Sequence, residues 1–252
     1  MSRDGEPTLT NARPRLGVSF DALIDPYDAG TFLRVHWEKR PLLVTGRDAD
    51  RYEGLLSLAD VDRILSTPAL HSSTIRLVRE GHGIKFDKLW SGGAIGDHTA
   101  VEELLAEYRL GATISLTGLD RTSKPLRELC ASLERRFSAV FQANAYLTPA
   151  SSQGFDTHCD THDVFVLQIQ GTKRWKVFDA PVELPVEFRK MRNAGELPVL
   201  LEVELQPGDL LYLPRGYPHH AVSAEATSLH VTLGAHTQTW ATYFAGWQYL
   251  PG

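Results

Sequence analysis

The stretch that decides the fold is FDTHCDTHDVFVLQI, residues 155–169, where a polar segment runs directly into an apolar one. The apolar part, Val164 to Ile169, is rich in β-branched residues and predicts a buried strand. Further β-type runs follow, separated by turn residues such as Gly171, the pair Pro207-Gly208 and Gly216. Many short strands with glycine and proline turns indicate a jelly roll. The later predicted strands are Arg174 to Phe178, Val199 to Leu205, Asp209 to Leu213 and Leu229 to Leu233.

Upstream of residue 155 the apolar residues mostly recur at helical spacing. Helices are predicted at Thr31–Trp37, at Leu58–Leu65, at Val101–Tyr108 and at Leu126–Phe137. Short strands are predicted at Leu42–Thr45, Thr113–Thr117 and Val140–Leu147. The interpretation is a flexible arm over residues 1–15 followed by a single domain over residues 16–252. Within that domain we expect a helical annex at about 16–111, a main β-helix core at about 112–236 and a C-terminal helix at about 237–248.

The composition excludes several classes of protein. Hydrophobic residues make up 42% of the chain and charged residues 23%, which is the balance of an ordinary globular protein. The sequence contains no apolar run of the roughly 20 residues that a transmembrane helix needs, and its N-terminus has no signal-peptide core. The net charge of -5 argues against direct nucleic-acid binding through bulk electrostatics. Cys130 and Cys159 are too few for a disulfide framework, and we expect a cytoplasmic protein.

His158 and Asp160 lie two residues apart in a segment that we expect to be extended. Side chains at i and i+2 of an extended chain share a face, so these two should point the same way while Cys159 points away. One imidazole and one carboxylate suit iron(II) when a second histidine provides the third ligand, because three coordination positions of the metal then stay open. A lone His-x-Asp pair also arises by chance, and an isolated histidine is usually a hydrogen-bonded structural residue. The hypothesis therefore requires a third ligand from elsewhere in the chain.

His219 is the candidate third ligand. It ends the run GDLLYLPRGYPH, residues 208–219, in which Gly216 lets the backbone bend after a predicted strand. Such a turn would return the chain to the mouth of the barrel, beside His158 and Asp160. The adjacent His220 cannot aim at the same metal from an extended backbone, so it is predicted to be dispensable for metal binding. The sequence leaves the role of His162 open.

At these residues the chain resembles the cupin-like JmjC oxygenases, and within them the bacterial relatives of the ribosomal oxygenases, which hydroxylate side chains of ribosomal proteins. The resemblance rests mainly on HCDTHDVFVLQIQGTKRW, residues 158–175, and on residues 208–219. The segments FLRVHWEKRPLL, residues 32–43, and QANAYLTP, residues 142–149, add to it. It implies a mainly β fold, a double-stranded β-helix of the cupin and JmjC type with an N-terminal helical annex.

The resemblance also implies an iron(II)- and 2-oxoglutarate-dependent oxygenase that uses O2. His158, Asp160 and His219 would hold the iron, and Lys173 would bind the distal carboxylate of 2-oxoglutarate. A carboxylate buried inside a barrel needs such a fixed cation. Lys173 opens a predicted strand with Trp175 on the same face, which favours an inward orientation, although a surface lysine in a hairpin turn is the alternative.

Two further residues and a basic insertion are candidates for contacts with bound molecules. Asn144 and Tyr146 share a face of one predicted strand. Asn144 is predicted to contact the cosubstrate, with a structural hydrogen-bonding role as the alternative, and Tyr146 is predicted to contact the substrate. The insertion at residues 187–196 carries Arg189, Lys190 and Arg192, and its default interpretation is solvated surface. If the substrate is a side chain of a protein or peptide, this insertion is a candidate docking surface.

The chain departs in two ways from the family that it resembles, and the identity of the substrate stays undetermined. The ribosomal oxygenases continue past the barrel into a dimerisation region and a winged-helix domain, whereas this chain stops about one helix after its last predicted strand, so it is either truncated or minimal. A homodimer therefore stays an open alternative. The last strand also carries Gly234 where relatives can offer a hydroxyl. Two other functions remain: a hydroxylase of a small metabolite or peptide natural product, and a non-catalytic metal-binding cupin module, against which the His-x-Asp pattern argues.

Overall fold

The computed structural model describes residues 19–66, 74–84, 98–179, 183, 185, 189–191 and 194–237. Within them the strands are β1 (Leu42–Val44), β2 (Ile75–Arg79), β3 (His82–Ile84), β4 (Thr113–Leu116), β5 (Val140–Thr148), β6 (His158–Cys159), β7 (Asp163–Gln170), β8 (Lys173–Phe178), β9 (Arg189–Lys190), β10 (Val199–Leu205), β11 (Leu210–Leu213), β12 (His219–Ser223) and β13 (Ser228–His236). They form a large sheet of order β1-β11-β7-β13-β5-β4-β2-β3 and a small sheet of order β10-β8-β12-β6-β9. Neighbouring strands in both sheets pair antiparallel, and the two sheets pack against each other. The predicted mainly β fold, a double-stranded β-helix, is confirmed.

Both faces of the large sheet are covered at its centre. On β7, Phe165 and Leu167 pack into the core beneath the helices, whereas Val164 and Val166 pack between the sheets with residues of the small sheet. Successive side chains of a strand point to opposite faces of the sheet. The sequence of a strand that is buried on both faces is therefore a nearly continuous run of apolar residues. This arrangement explains the composition of residues 164–169.

The helices cover the outer face of the large sheet. Phe20, Phe32 and Phe137 pack with Phe165 of β7, and the rings of Phe20 and Phe137 meet edge to face with centroids 4.8 Å apart. Such aromatic pairs each contribute about 0.5–1.5 kcal/mol beyond the burial of their surface. The helices are α1 (Phe20–Ile24), α2 (Ala29–Val35), α3 (Leu58–Leu65), α4 (His98–Arg109) and α5 (Lys124–Phe137), with 3-10 turns at Leu119–Arg121 and Ala194–Glu196.

The observed elements follow most of the predicted ones, and the elements that the sequence did not predict are α1, β2, β3, β9 and β12. The segment predicted as a helical annex also contains β2 and β3, which extend the large sheet at the edge beyond β4. A two-residue turn at Glu80-Gly81 joins them, and the Gly81 N–H donates to the carbonyl of Gly154 at 2.7 Å. β2 alternates apolar and polar residues only over Ile75 to Leu77, which is too short a run to indicate a strand by periodicity. The turn supports the loop that leads to His158.

Several predictions lie outside the described residues. These are the arm at 1–15, the helix at about 237–248 and Arg192 of the basic insertion. The backbone of Arg189–Lys190 is described and pairs as β9 with β6. None of the helices in the described part of the chain has both the length and the apolar character needed to cross a membrane.

Candidate metal centre

The side chains of the two predicted ligands, His158 and Asp160, lie close together. His158 opens β6, and its Nε2 is 3.8 Å from Oδ1 of Asp160. Cys159 between them is buried, with 2% of its surface exposed. The backbone is extended here, so residues two apart share a face, as the sequence predicts.

His219 reaches the same place from the other end of the chain. It opens β12, where it is the direct antiparallel partner of His158, and its Nε2 lies 3.7 Å from Oδ2 of Asp160. The preceding turn contains Gly216, whose φ of +88° is a left-handed conformation that favours glycine and whose N–H donates to the Asp160 carbonyl at 3.0 Å. This hydrogen bond holds the turn against the segment that carries His158 and Asp160.

The three side chains form a cluster suited to one metal ion. One ligand atom from each of His158, Asp160 and His219 lies within 4.8 Å of the others. In the described ranges this is the one group of three or more His, Cys, Asp or Glu side chains that could hold a metal ion. The Nδ1 of His158 donates to the carbonyl of Asp156 at 2.7 Å, and that of His219 to the carbonyl of Tyr217 at 3.0 Å. Since a carbonyl only accepts, each neutral ring keeps its proton on Nδ1 and offers Nε2 to a metal.

Electrostatics favour the metal-binding protonation states of His219 and Asp160. Burial lowers the pKa of His219, and the adjacent His158 lowers it further, so its imidazole is neutral at neutral pH. Burial acts to raise the pKa of Asp160, but the imidazoles of His219 and His158 outweigh it and the pKa of this carboxyl is lowered. A neutral imidazole and an ionised carboxylate are the forms that coordinate a metal.

His220 is directed elsewhere. Its Nδ1 lies 2.9 Å from the hydroxyl oxygen of Thr157, and its ring packs near that of Phe178. On β12 it is the partner of Lys176, one position along from the partner of His219. The geometry thus separates the two neighbouring histidines, and His220 is not in the metal-binding cluster.

Lys173 points inward from the first position of β8. It is 5% exposed, its Nζ donates to the Thr148 hydroxyl at 2.9 Å, and burial lowers its pKa to about 7. The neighbouring Arg174 is exposed and pairs with Glu204 at 2.8 Å. In the described structure no carboxylate forms an ion pair with Lys173, so a buried cation without a counter-charge lies in the same cavity as the metal cluster.

Two buried polar groups beside Lys173 have no hydrogen-bond partner within the described structure. They are Nδ1 of His230 and Nε1 of Trp175, residues that are 3% and 5% exposed. Burial lowers the pKa of His230 well below its usual value, and the charge of Lys173 adds to this effect. An unpaired buried polar group costs about 1–3 kcal/mol. This end of the cavity is therefore suited to an anionic group that accepts hydrogen bonds.

A cavity of about 410 Å³ joins the metal cluster to Lys173, and Asn144 and Tyr146 both line it. The Asn144 carboxamide oxygen accepts from the Gly118 N–H at 3.0 Å, which is the structural role foreseen as the alternative. The Tyr146 ring stacks on that of His230, with centroids 4.9 Å apart. The side chains of Asn144 and Tyr146 thus share one face of β5, as predicted.

Sequence reasoning missed several residues of the cavity wall. These are Arg76, Gln142, Phe155 and His230 in addition to smaller side chains, whereas His162 was noted without a role. The alternation along β13 could have indicated His230, because Leu229 and Val231 on either side of it are apolar. The position of Arg76 depends on β2, a strand that the sequence pattern did not reveal.

Comparison with known proteins explains this arrangement. Residues 121–243 match the family model described as the JmjC domain. Over these residues the chain is a JmjC domain. Among solved structures, Escherichia coli ribosomal oxygenase YcfD aligns with a TM-score of 0.58 at 18% identity, over 88% of this chain and 55% of that one. At this identity the likeness shows the shared JmjC fold.

Curated relatives of this JmjC chain are longer proteins. The "Bifunctional lysine-specific demethylase and histidyl-hydroxylase NO66" of Drosophila persimilis is 35% identical over 219 residues, which is 86% of this chain and 31% of the relative. "Ribosomal oxygenase 1" of Danio rerio is 30% identical over 239 residues, which is 90% of this chain and 42% of the relative. The JmjC chain thus spans less than half the length of these relatives.

Proposed function

We propose that the protein is an iron(II)- and 2-oxoglutarate-dependent oxygenase that hydroxylates a side chain of a protein or peptide. The observation that carries this proposal is one cavity that holds both a cluster of two histidines and one carboxylate and a buried lysine without a counter-charge. The first feature suits iron(II), and the second suits a dicarboxylate cosubstrate.

His158, Asp160 and His219 would hold the iron. Two imidazole nitrogens and one carboxylate oxygen form the facial set typical of non-haem iron(II) oxygenases, in which the remaining positions stay available for cosubstrate and O2. The main-chain carbonyls of Asp156 and Tyr217 fix both imidazole rings. The metal would therefore enter a site that the fold has already oriented.

Lys173 would hold the distal carboxylate of 2-oxoglutarate. Its Nζ, the Thr148 hydroxyl and the unpaired ring nitrogens of His230 and Trp175 supply hydrogen-bonding groups at the buried end of the cavity. A bound carboxylate would neutralise the lysine and accept from these donors, which offsets the cost of burying them.

When iron(II), 2-oxoglutarate and O2 are bound, they supply the chemistry that places one oxygen atom in a C–H bond and releases succinate and CO2. The protein's own residues hold and orient these reactants. Apolar side chains on the inner faces of both sheets, such as Val166 and Val177, exclude bulk water from the cavity. The substrate would present one C–H bond beside Asp160 and the two histidines.

A polypeptide substrate is supported by two observations. The relatives named histidyl-hydroxylase and ribosomal oxygenase act, by their names, on proteins. The backbone of β9, Arg189–Lys190, pairs with β6, the strand that carries His158, so these two positions of the basic insertion lie beside that strand. An extended peptide at this edge could use main-chain hydrogen bonds, with Tyr146 as a contact inside the cavity.

The test is cosubstrate turnover followed by a search for the product. Purified protein with iron(II), 2-oxoglutarate and O2 should form succinate, and Asp160→Ala should abolish this reaction. Protein extract from a deletion strain, incubated with the enzyme, should yield a peptide that gains the mass of one oxygen atom. A hydroxylated metabolite with unchanged peptides would replace the protein-substrate proposal by a small-molecule hydroxylase. Metal binding with no succinate under any condition would favour a non-catalytic cupin module.

A further inference from the structure

The imidazole of His162 fills the space that a side chain at position 234 would occupy. His230 and Thr232 of β13 both line the cavity, and Gly234 continues the same face of that strand. A Cβ on Gly234 would lie 2.8 Å from Cδ2 and 3.0 Å from Nε2 of His162. His162 therefore rests on the bare backbone of Gly234, and it reaches the cavity from the segment that carries Asp160.

His162 lies near the exposed end of the β13 face that lines the cavity. Its ring stacks on that of His236, with centroids 4.5 Å apart, and His236 is the exposed last residue of β13. The opposite, buried end of the same strand face carries His230 beside Lys173. His162 and Lys173 therefore lie toward opposite ends of this strand face.

Gln142 is the neighbour of this position on the next strand. It pairs directly with Gly234 and lines the cavity beside His162. A carboxamide and an imidazole both donate and accept hydrogen bonds, and neither is an anion. Among the described residues of the wall, Asp160 is the sole carboxylate and is assigned to the metal, whereas Arg76 and Lys173 add positive charge. A cationic substrate side chain would find no counter-charge here.

We propose that His162 and Gln142 form the substrate subsite, and that they position an uncharged polar side chain of the polypeptide by hydrogen bonds. Gly234 determines this specificity because it leaves the space in which the imidazole sits. The inference rests on the proposed function and deepens it by naming the recognition residues and the class of side chain, with arginine and lysine disfavoured.

The experiment measures peptide binding without turnover. The protein is loaded with cobalt(II) and 2-oxoglutarate, and short acetylated peptide amides that differ only in a central asparagine, histidine or arginine are titrated by calorimetry. The asparagine or histidine peptide should bind at least about tenfold more tightly than the arginine peptide. His162→Phe and Gly234→Ala should each remove this preference, His162→Gln should retain part of it, and the affinities for cobalt(II) and 2-oxoglutarate should stay unchanged.

Gly83→Ala is the matched control, because a Cβ at Gly83 meets no atom within 4 Å. Equal binding of the three peptides, tighter binding of the arginine peptide, no binding of any peptide, or an unchanged preference in His162→Phe would overturn the subsite. Succinate formation by the iron(II) protein is measured separately. Its absence beside an intact peptide preference would refute the oxygenase proposal and leave the subsite standing.

Discussion

His158 and His219 face each other as direct partners on two antiparallel strands, and their ring centroids lie 4.5 Å apart. Asp160 contacts both, with one carboxylate oxygen 3.8 Å from the first ring nitrogen and the other 3.7 Å from the second. The cluster is thus assembled by strand pairing and by main-chain hydrogen bonds, so that its ligands are oriented by the fold.

Removal of His219 should abolish metal binding, whereas removal of His220 should not. His219→Ala deletes one of the three ligand atoms, and we expect the affinity for iron(II) or cobalt(II) to fall by at least about a hundredfold. His220→Ala is the matched control, because its ring is directed to Thr157. Calorimetric titration of both variants with cobalt(II) measures the difference. If His220→Ala loses metal binding and His219→Ala retains it, His220 is the ligand and His219 is not.

Lys173→Ala should weaken 2-oxoglutarate binding and leave metal binding intact. A buried carboxylate that loses its partner costs roughly 3 to 5 kcal/mol, which is more than a hundredfold in affinity. Lys176→Ala is the control, because Lys176 lies on the same strand but pairs with Glu202 at 3.1 Å. Titration of the cobalt(II)-loaded variants with 2-oxoglutarate tests this. An unchanged affinity in Lys173→Ala would mean that the carboxylate binds elsewhere.

The affinity for 2-oxoglutarate should fall as the pH rises above neutrality. Burial lowers the pKa of Lys173 to about 7, and only its charged form pairs with a carboxylate. Above pH 7 binding must therefore take up a proton, and each further pH unit should cost about tenfold in affinity until the pKa of the complex is reached. Lys173→Arg stays charged and should show a flat profile over this range. A flat profile in the wild-type protein would contradict the prediction.

Asp163 should make the protein less stable at neutral pH than at mildly acidic pH. Burial raises the pKa of this carboxyl from 3.8 to about 6, although it accepts a hydrogen bond from the Tyr212 hydroxyl at 2.9 Å. Its contribution to stability is present below its unfolded pKa and is lost as the pH rises through about 6, with a size of about 3 kcal/mol.

Asp163→Asn should flatten this dependence, as urea unfolding between pH 4 and pH 7.5 would reveal. Asn retains an acceptor for Tyr212 and cannot ionise. Asp62→Asn, on the exposed face of α3, is the control and should leave the profile unchanged. The same pH slope in Asp163→Asn and in the wild-type protein would assign the loss of stability to other groups.

Gly171→Ala should destabilise the fold much more than Gly46→Ala. Both glycines have left-handed backbones, with φ of +64° and +73°, which costs an alanine about 1–2 kcal/mol. A Cβ on Gly171 would also overlap the main-chain carbonyl of Thr227, whereas one on Gly46 meets no atom within 4 Å. We expect a loss of about 3 kcal/mol or more at Gly171 in urea unfolding. Equal losses of unfolding free energy in Gly171→Ala and Gly46→Ala would show that the backbone around Gly171 can shift to accommodate a Cβ.

The sequence by itself determined the local structure and the chemistry of the ligands. Alternation and turn residues predicted the strands of the barrel, and the two-residue spacing of His158 and Asp160 placed both on one face. The shared face of Lys173 and Trp175 also favoured an inward orientation of the lysine. These features depend on contacts between near neighbours in the chain, so a linear pattern records them.

The tertiary structure alone decided which distant residues meet. The pairing of β6 with β12 brings His219 to His158, the pairing of β2 with β4 brings Arg76 to the cavity, and the register of β13 sets Gly234 beneath His162. Each of these contacts joins segments that are far apart in the chain. Cross-strand register follows from the packing of whole sheets, and no local periodicity encodes it.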